Sequence, residues 1–160
     1  FSDVIYGHDF EYSTPVASLK IGIYENEYYL EELIYKTNLT SAQWVAELDK
    51  LDIDKYACHY GDSSRPDYID EAYNAGYNIR GAEKPAGSVI TGIDIVKKCK
   101  LHIHRQSHNV IKEIRGYKFK QDRDGNVIDD PVKRDDHLMD AMRYAIYMYT
   151  QHGQPIVYLV

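Results

Sequence analysis

The sequence predicts an α/β fold in which helices cover a single mixed β-sheet. Three strand-like runs come first: Val4–Asp9, then Val16–Tyr24 and Glu27–Tyr35, two alternating runs separated only by Glu25-Asn26, a hairpin signal. Segments typical of helices and strands follow them along the chain. The length of 160 residues suffices for one domain with a core, and 44% hydrophobic residues is typical of a globular protein.

Each later element has its own local signal. Thr40-Ser-Ala-Gln43 fits a capping box ahead of an amphipathic helix that ends near Leu51. Pro66 in a first turn and Gly76 after the last turn bound a second helix. The remaining predicted elements are strands at Lys55–Tyr60, Tyr77–Arg80 and Leu101–His104, helices at Ser88–Lys98 (capped by Ser88), Asn109–Arg115 and Asp135–Thr150, and a β-hairpin of Tyr117–Gln121 with Asn126–Ile128.

This order of elements fits a ribonuclease H-like core. The first three strands are expected to be antiparallel neighbours and the later strands parallel, with the first strand central and the fourth beside it. No apolar run approaches the roughly 18 residues that span a bilayer, so we expect no membrane partner.

A basic segment lies within a chain whose net charge is −6. Lys97 to Arg123 holds nine basic residues and only two acidic ones. Such a segment predicts a polyanionic partner, and from charge alone a solvated helix face explains it equally well.

Three aspartates from distant parts of the sequence are candidates for one site. Asp140 lies three residues after His137, on the flank of the apolar stripe of the last helix, where it can face a cleft. Asp9 and Asp62 each follow a strand, and ligands of α/β sheets bind at the carboxyl ends of strands. Each acid also has a structural alternative, such as a salt bridge from Asp140 to Arg143 or a turn formed by Asp62.

Carboxylates gathered at one point need a cation. Two of them about 4 Å apart repel by ~4 kcal/mol at an effective dielectric near 20. Oxygen ligands suit Mg²⁺ or Mn²⁺, and an added imidazole favours Mn²⁺. Two such ions about 3.5–4 Å apart would activate a water and stabilise the leaving oxygen of a phosphodiester. If the three acids meet, the residues therefore predict a nuclease.

Four segments, in this order, resemble the motifs of one family, the nuclease domain of the large terminase subunit of tailed bacteriophages. They are Gly7-His-Asp9-Phe-Glu-Tyr-Ser13, Gly61-Asp62-Ser-Ser-Arg-Pro66, Lys84-Pro-Ala-Gly-Ser88-Val-Ile-Thr-Gly92-Ile and Asp136-His137-Leu-Met-Asp140-Ala-Met-Arg143-Tyr-Ala. The resemblance runs from about Ile5 to Thr150. It departs from the family at Glu11, where glycine is frequent, and an extra carboxylate there could alter metal affinity.

The resemblance implies a metal-dependent endonuclease that cleaves double-stranded viral concatemer DNA during genome packaging. The catalytic metal ligands, for two Mn²⁺ or Mg²⁺ ions, would be Asp9, Asp62, Asp140 and His137. Contacts to phosphate and the DNA backbone would come from Lys84, Lys97, Lys98, Arg105, Lys118, Lys120 and Arg123.

The same resemblance implies a place within a larger machine. Residues 1–160 would form a single nuclease domain, the C-terminal half of a terminase whose ATPase domain is absent from this chain. The expected partners are the portal protein, the small terminase subunit and that ATPase domain, in the cytoplasm of the infected bacterial host. Two alternatives are a Holliday-junction resolvase or transposase-like nuclease on the same core, and a non-catalytic DNA- or portal-docking module.

Overall fold

A six-stranded mixed sheet forms the centre of the computed structural model, which describes residues 1–116, 119–121, 123–125, 127–131 and 135–152. Its strands are β1 (Asp3–Asp9), β2 (Val16–Tyr24), β3 (Glu27–Lys36), β4 (Cys58–Gly61), β5 (Ile79–Gly81) and β6 (Lys100–Ile103), in the spatial order β5-β4-β1-β2-β3-β6. β1, β2 and β3 pair antiparallel, whereas β4, β5 and β6 each join a neighbour in parallel. The predicted sheet is confirmed, with β1 between β2 and β4.

Helices cover both faces of this sheet. In the described ranges they are α1 (Ser41–Asp49), α2 (Pro66–Asn74), α3 (Ser88–Lys97), α4 (His108–Gly116) and α5 (His137–His152). One apolar core lies between the sheet and α5, and a second lies between the sheet and the α1–α2 pair. The predicted hairpin forms from β7 (Phe119–Gln121) and β8 (Val127–Pro131). None of the helices in these ranges has the length and apolar character needed to traverse a bilayer.

Alternation along β1 decides what each face of the sheet holds, because successive side chains of a strand point to opposite faces. Ile5 packs in the core beneath α5, and Gly7 lies directly under the Ala141 carbonyl of that helix. His8 faces the other way, against the Trp44 ring of α1. Asp9, two residues after Gly7, therefore projects on the α5 face at the carboxyl end of the strand.

Two of the predicted local signals are confirmed in detail. Glu25 and Asn26 both have positive φ (50° and 64°), as a two-residue hairpin turn that matches the twist of its strands requires. The Thr40 hydroxyl accepts from the Gln43 amide at 3.2 Å, and the Gln43 side chain accepts from the Thr40 amide at 2.9 Å. The capping box thus begins α1 as the sequence predicts.

Two predictions about helices are wrong in part. Ser88 does not cap α3: Gly87 occupies the cap position with a φ of 78°, which favours glycine, and Ser88 is the first helical residue. The predicted single apolar stripe of α5 is also incomplete. Every residue from Leu138 to Ile146 is buried, because the helix is covered by the sheet, α3 and α4 together.

Candidate active site

Asp9 and Asp62 lie side by side at the carboxyl edge of the sheet. β1 and β4 are parallel neighbours with His8 opposite Gly61, and the Asp62 amide donates to the His8 carbonyl at 3.1 Å. Adjacent strands are about 4.8 Å apart. Asp62 points to the same face as Asp9, because it comes two residues after Tyr60, which packs in the core beneath α5.

Asp140 reaches this point from α5. The helix can lie against β1 because Gly7 has no side chain: a Cβ there would be 2.0 Å from the Ala141 carbonyl oxygen. Asp140 is the residue before Ala141 and is buried, as are Asp9 and Asp62. Three acids from the ends of β1 and β4 and the first turn of α5 are thus brought together, as the sequence predicts.

The pKa of Asp9 reflects the proximity of the other two acids. Burial raises the pKa of its carboxyl most, a hydrogen bond from His137 lowers it, and the charges of Asp140 and Asp62 raise it further, to about 6. His137 Nδ1 lies 3.4 Å from Asp9 Oδ2, and that contact raises the pKa of His137 in turn. The predicted fourth residue of the site is therefore in contact with the first.

Asp62 is held by positively charged and neutral donors. Its Oδ1 contacts Lys84 Nζ and also accepts from the Ser64 amide at 2.9 Å and the Ser64 hydroxyl at 2.8 Å. Burial alone would raise the pKa of Asp62, but these donors outweigh it and keep the pKa below its ordinary value. Asp62 is thus a carboxylate at neutral pH.

Asp140 forms the salt bridge considered from the sequence. Arg143 Nη2, itself buried, lies 2.8 Å from Asp140 Oδ1. The stem of Arg143 lies so close to α3 that a Cβ at Gly92 would be 2.5 Å from its Cγ. The glycine of the third motif therefore makes room for the arginine of the fourth.

Tyr144 is near enough to all three carboxylates for their charges to act on its hydroxyl. Burial raises the pKa of its hydroxyl most, and the charges of Asp140, Asp9 and Asp62 raise it further, so the hydroxyl keeps its proton. Lys84 Nζ lies 5.0 Å from the centroid of the Tyr144 ring, within cation–π range. A cleft of about 340 Å³ beside this ring is lined by Lys84, Gly87, Ser88, Arg143 and Tyr144, among others.

The donor types suit a divalent cation, although the described residues contain no ready-made group of three metal-ligating side chains. Lys84 and Arg143 each hold one carboxylate and so offset two of the three negative charges. Asp9 Oδ1 and Asp62 Oδ2 accept no hydrogen bond from any described residue. Carboxylate oxygens with one imidazole fit Mn²⁺ or Mg²⁺, which would compete with Lys84 and Arg143 for these acids.

A hydrogen-bonded chain of buried side chains supports β1 on the other face. His59 Nε2 must donate to the Asp54 carbonyl (2.9 Å), so His59 Nδ1 accepts from His8 Nε2 (3.1 Å). His8 Nδ1 then accepts from the Ser18 hydroxyl (2.9 Å), whose oxygen accepts from Trp44 Nε1 (3.0 Å). The chain is complete only when both imidazoles are neutral, and burial lowers the pKa of both.

The predicted DNA-contacting residues do not share one surface. Lys84 lies at the acids, and Arg105 follows the carboxyl end of β6, at the same edge of the sheet as Asp9. Lys97 and Lys98 lie at the end of α3, just before the chain enters β6 at the other edge of the sheet. The four residues of β6 put about 13 Å between that edge and the one that carries Arg105. The basic segment is therefore divided between two edges of the sheet.

The remaining basic candidates belong to the hairpin. Arg123 is exposed between β7 and β8. Lys118 lies outside the described residues, and Lys120 lies in β7 with its side chain outside the described part.

Glu113 is a buried residue that sequence reasoning missed. In the sequence it is only one of the two acidic residues of the basic segment, yet it is 3% exposed and contacts the first turn of α5. A signal was present: Glu113 lies three residues after the buried Val110, on the apolar face of α4.

The family model of the terminase RNase H-like domain matches residues 6–147. This chain belongs to that family. The match covers all four motifs, so the family resemblance is confirmed, and it favours a terminase over the resolvase or transposase alternative. No curated protein matches the terminase domain significantly in sequence.

Solved terminase structures share the fold. The large terminase nuclease domain of bacteriophage SPP1 with bound Mn superimposes with a TM-score of 0.78 at 23% identity, over 94% of this chain and 87% of that one. The large terminase nuclease of the thermophilic phage G20c with bound cobalt gives a TM-score of 0.66 at 17% identity, over 92% and 82%. The large terminase of another thermophilic bacteriophage gives 0.71 at 19%, over 94% of this chain and 40% of that one.

Proposed function

We propose that this terminase domain is a metal-dependent endonuclease that cleaves double-stranded viral concatemer DNA during genome packaging by two-metal-ion phosphodiester hydrolysis. The observation that carries the proposal is the convergence of Asp9, Asp62 and Asp140 where the carboxyl ends of β1 and β4 meet the first turn of α5. Burial raises the pKa of Asp9, and the charges of Asp140 and Asp62 raise it further. Membership of the terminase family supports DNA as the substrate.

The acid residues and His137 would hold the cations. Two Mn²⁺ or Mg²⁺ ions bound there would supply an activated water and stabilise the leaving oxygen of the phosphodiester. The number and identity of the ions are part of the proposal, which draws support from the Mn and cobalt bound in the SPP1 and G20c domains. His137 keeps the Asp9 carboxylate oriented through its Nδ1 contact.

Lys84 would position the scissile strand. Its ammonium lies between Asp62 and the Tyr144 ring, at the mouth of the cleft that ends on the first residues of α3. The amide groups at the N-terminus of a helix favour a phosphate, as does a nearby lysine. The Tyr144 hydroxyl, which keeps its proton, can donate a hydrogen bond to the same phosphate.

We further propose the setting of the reaction. In the infected bacterial cytoplasm, an ATPase domain, the portal protein and the small terminase subunit would present the DNA. The chain spans 40% of the length of one large terminase with the same fold, which is consistent with a domain of a larger motor.

The test is cleavage of supercoiled plasmid in the presence of Mn²⁺. We expect nicking and linearisation that EDTA abolishes. Asp62→Asn and Asp140→Asn should each lower the rate by more than the roughly 100-fold that even the outer partners of metal ligands contribute. Asp67→Asn is the matched control, because Asp67 is an exposed aspartate of α2 that pairs with Arg65, the residue just before that helix.

Two results would contradict the proposal. Cleavage that survives EDTA or persists in both asparagine variants would separate the activity from the acids. A wild-type domain that binds DNA without cutting it under any Mn²⁺ or Mg²⁺ concentration would favour the non-catalytic docking module.

A further inference from the structure

The start of α5 is held by a carboxylate from another helix. Glu113 Oε1 accepts from the backbone amides of Leu138 (2.8 Å) and Met139 (3.0 Å), the second and third residues of α5. These are the amides that the side chain of a local N-cap residue ordinarily satisfies. Here the bond instead connects α5 to α4.

Those amides lie in the helical turn that carries the candidate metal ligands. His137 is the first residue of α5 and Asp140 the fourth, so both are within one turn of the amides that Glu113 holds. The contact from His137 Nδ1 to Asp9 Oδ2 is already long, at 3.4 Å. A shift of this turn by about 1 Å would break it, and misplacements of that size can cost about 100-fold in rate.

The burial of the Glu113 carboxyl lowers the stability of the fold, so a contribution to stability does not explain why this residue is buried. Its Oε2 is buried and makes no hydrogen bond of normal geometry with a described residue. Burial raises the pKa of Glu113 to about 7, although the Met139 and Leu138 amides and the nearby Tyr35 hydroxyl lower it. An unsatisfied buried acceptor has lost its hydration without a compensating hydrogen bond, which destabilises the fold. A cap from the neighbouring Asp136 would satisfy the same amides without that cost, but it would not tie the turn to α4.

A second carboxylate of the same kind holds α4 itself. Glu32 of β3 accepts from the Asn109 amide (2.9 Å), the Val110 amide (3.2 Å) and the Asn109 side chain (2.7 Å), at the start of α4. Glu32 thus ties the start of α4 to the sheet, whereas Glu113, further along α4, ties that helix to α5. Both carboxylates accept from the first amides of a helix, but only Glu113 does so beside the acids, which provides the comparison; Glu32 is also less buried than Glu113.

We propose that Glu113 is a positioning residue, which holds the first turn of α5 so that His137 and Asp140 face Asp9. This inference rests on the proposed function, because the position of that turn matters only if these side chains bind a cation. Glu113 itself touches neither the cation nor DNA.

The experiment compares Mn²⁺ affinity by titration calorimetry in wild type, Glu113→Ala, Glu113→Gln and Glu32→Ala, all at a temperature where each is folded. We expect Glu113→Ala to weaken Mn²⁺ binding at least tenfold and to lower kcat for plasmid cleavage with the KM for DNA unchanged. Glu113→Gln keeps an oxygen acceptor and should restore both to within about threefold. Glu32→Ala should lower Tm similarly but change Mn²⁺ affinity less than threefold.

Amide hydrogen exchange separates this inference from the proposed function. Protection at Leu138 and Met139 should fall in Glu113→Ala and persist in Glu113→Gln, whether or not the domain cuts DNA. If wild type binds no Mn²⁺, the proposed function fails irrespective of Glu113. If wild type binds Mn²⁺ and Glu113→Ala binds it equally well, or Glu32→Ala weakens it as much, the positioning role is wrong. Should Glu113→Ala not fold, Glu113→Asp, which keeps the charge but shortens the reach, decides by the same measurements.

Discussion

Replacing Gly7 with alanine should separate α5 from β1 and pull the three acids apart. A Cβ at this position would lie 2.0 Å from the Ala141 carbonyl oxygen and 2.8 Å from its carbonyl carbon. Both are backbone atoms inside a helix, so no side-chain rotation can relieve the overlap. Relief requires α5 to move away from the strand by at least about 1 Å, or β1 to distort.

The expected magnitude follows from that displacement. Overpacking of a core typically costs about 1–3 kcal/mol. For a domain of this size that corresponds to a fall in Tm of roughly 2–12 °C. Because Asp140 precedes Ala141, the same movement separates it from Asp9, and a misplacement of about 1 Å can cost on the order of 100-fold in rate.

The assay is Mn²⁺-dependent plasmid cleavage measured below the lower Tm, with Gly22→Ala as the control. Gly22 is also a strand glycine, but its Cβ would meet the Phe1 ring at 2.6 Å, and Phe1 is 68% exposed. Its side chain can therefore move aside at the cost of its contact with the Tyr29 ring. Gly22→Ala should therefore retain nearly full stability and activity. If Gly7→Ala matches wild type in both Tm and cleavage rate, the close approach of α5 to β1 is not what assembles the site.

Three further predictions concern pH, the DNA-contacting face and the phosphate contact. Burial holds the pKa of His59 at about 4, below its ordinary 6.5, so on acidification the unfolded state takes up the proton before the folded state does. The free energy of unfolding should therefore fall by up to ~3 kcal/mol as the pH drops from 6.5 to 4, which denaturant titrations measure. His59→Phe should reduce that slope and leave the part that the buried His8 contributes, and an unchanged slope would contradict the neutral chain with His8. Arg105→Ala should weaken DNA binding and reduce its salt slope by about 0.9, whereas Lys97→Ala should not, in fluorescence anisotropy at several salt concentrations. Lys84→Ala should raise the KM for DNA at least tenfold, and an unaltered KM would remove Lys84 from the phosphate site.

Much of the sheet could be predicted because its signals are local. The alternating runs around Glu25-Asn26 and the capping box at Thr40 depend on residues two or three positions apart. The acid site was predictable for a related reason. Asp9 and Asp62 end strands whose parallel pairing places their carboxyl ends together, and Asp140 lies on the helix that crosses them.

The features that could not be predicted depend on contacts between distant segments. Nothing near Glu113 in sequence indicates that it holds the first turn of α5, since the amides it binds are 25 and 26 residues away. The sequence suggests one basic surface because the charges of this segment are close together along the chain. The crossover through α3 into β6 then places Lys97 and Arg105 at opposite edges of the sheet.

Of the two ion pairs that the acids form with Lys84 and Arg143, the sequence suggests only the one with Arg143. The repulsion among three carboxylates predicts a compensating cation, and the protein itself supplies two. The sequence suggests Arg143 as a partner of Asp140, whereas it places Lys84 at phosphate and not at Asp62. A phosphate contact and a bond to Asp62 are compatible, because the same ammonium lies at the mouth of the cleft.

Anomalous diffraction from crystals soaked in Mn²⁺, collected at the manganese edge, tests the acid site most directly. Peaks within coordination distance of the Asp9, Asp62 and Asp140 oxygens, absent from crystals of Asp62→Asn, are expected. A domain that cleaves DNA with Mn²⁺ but places its manganese elsewhere, with these three carboxylates still in contact with Lys84, Arg143 and His137, would contradict the assignment.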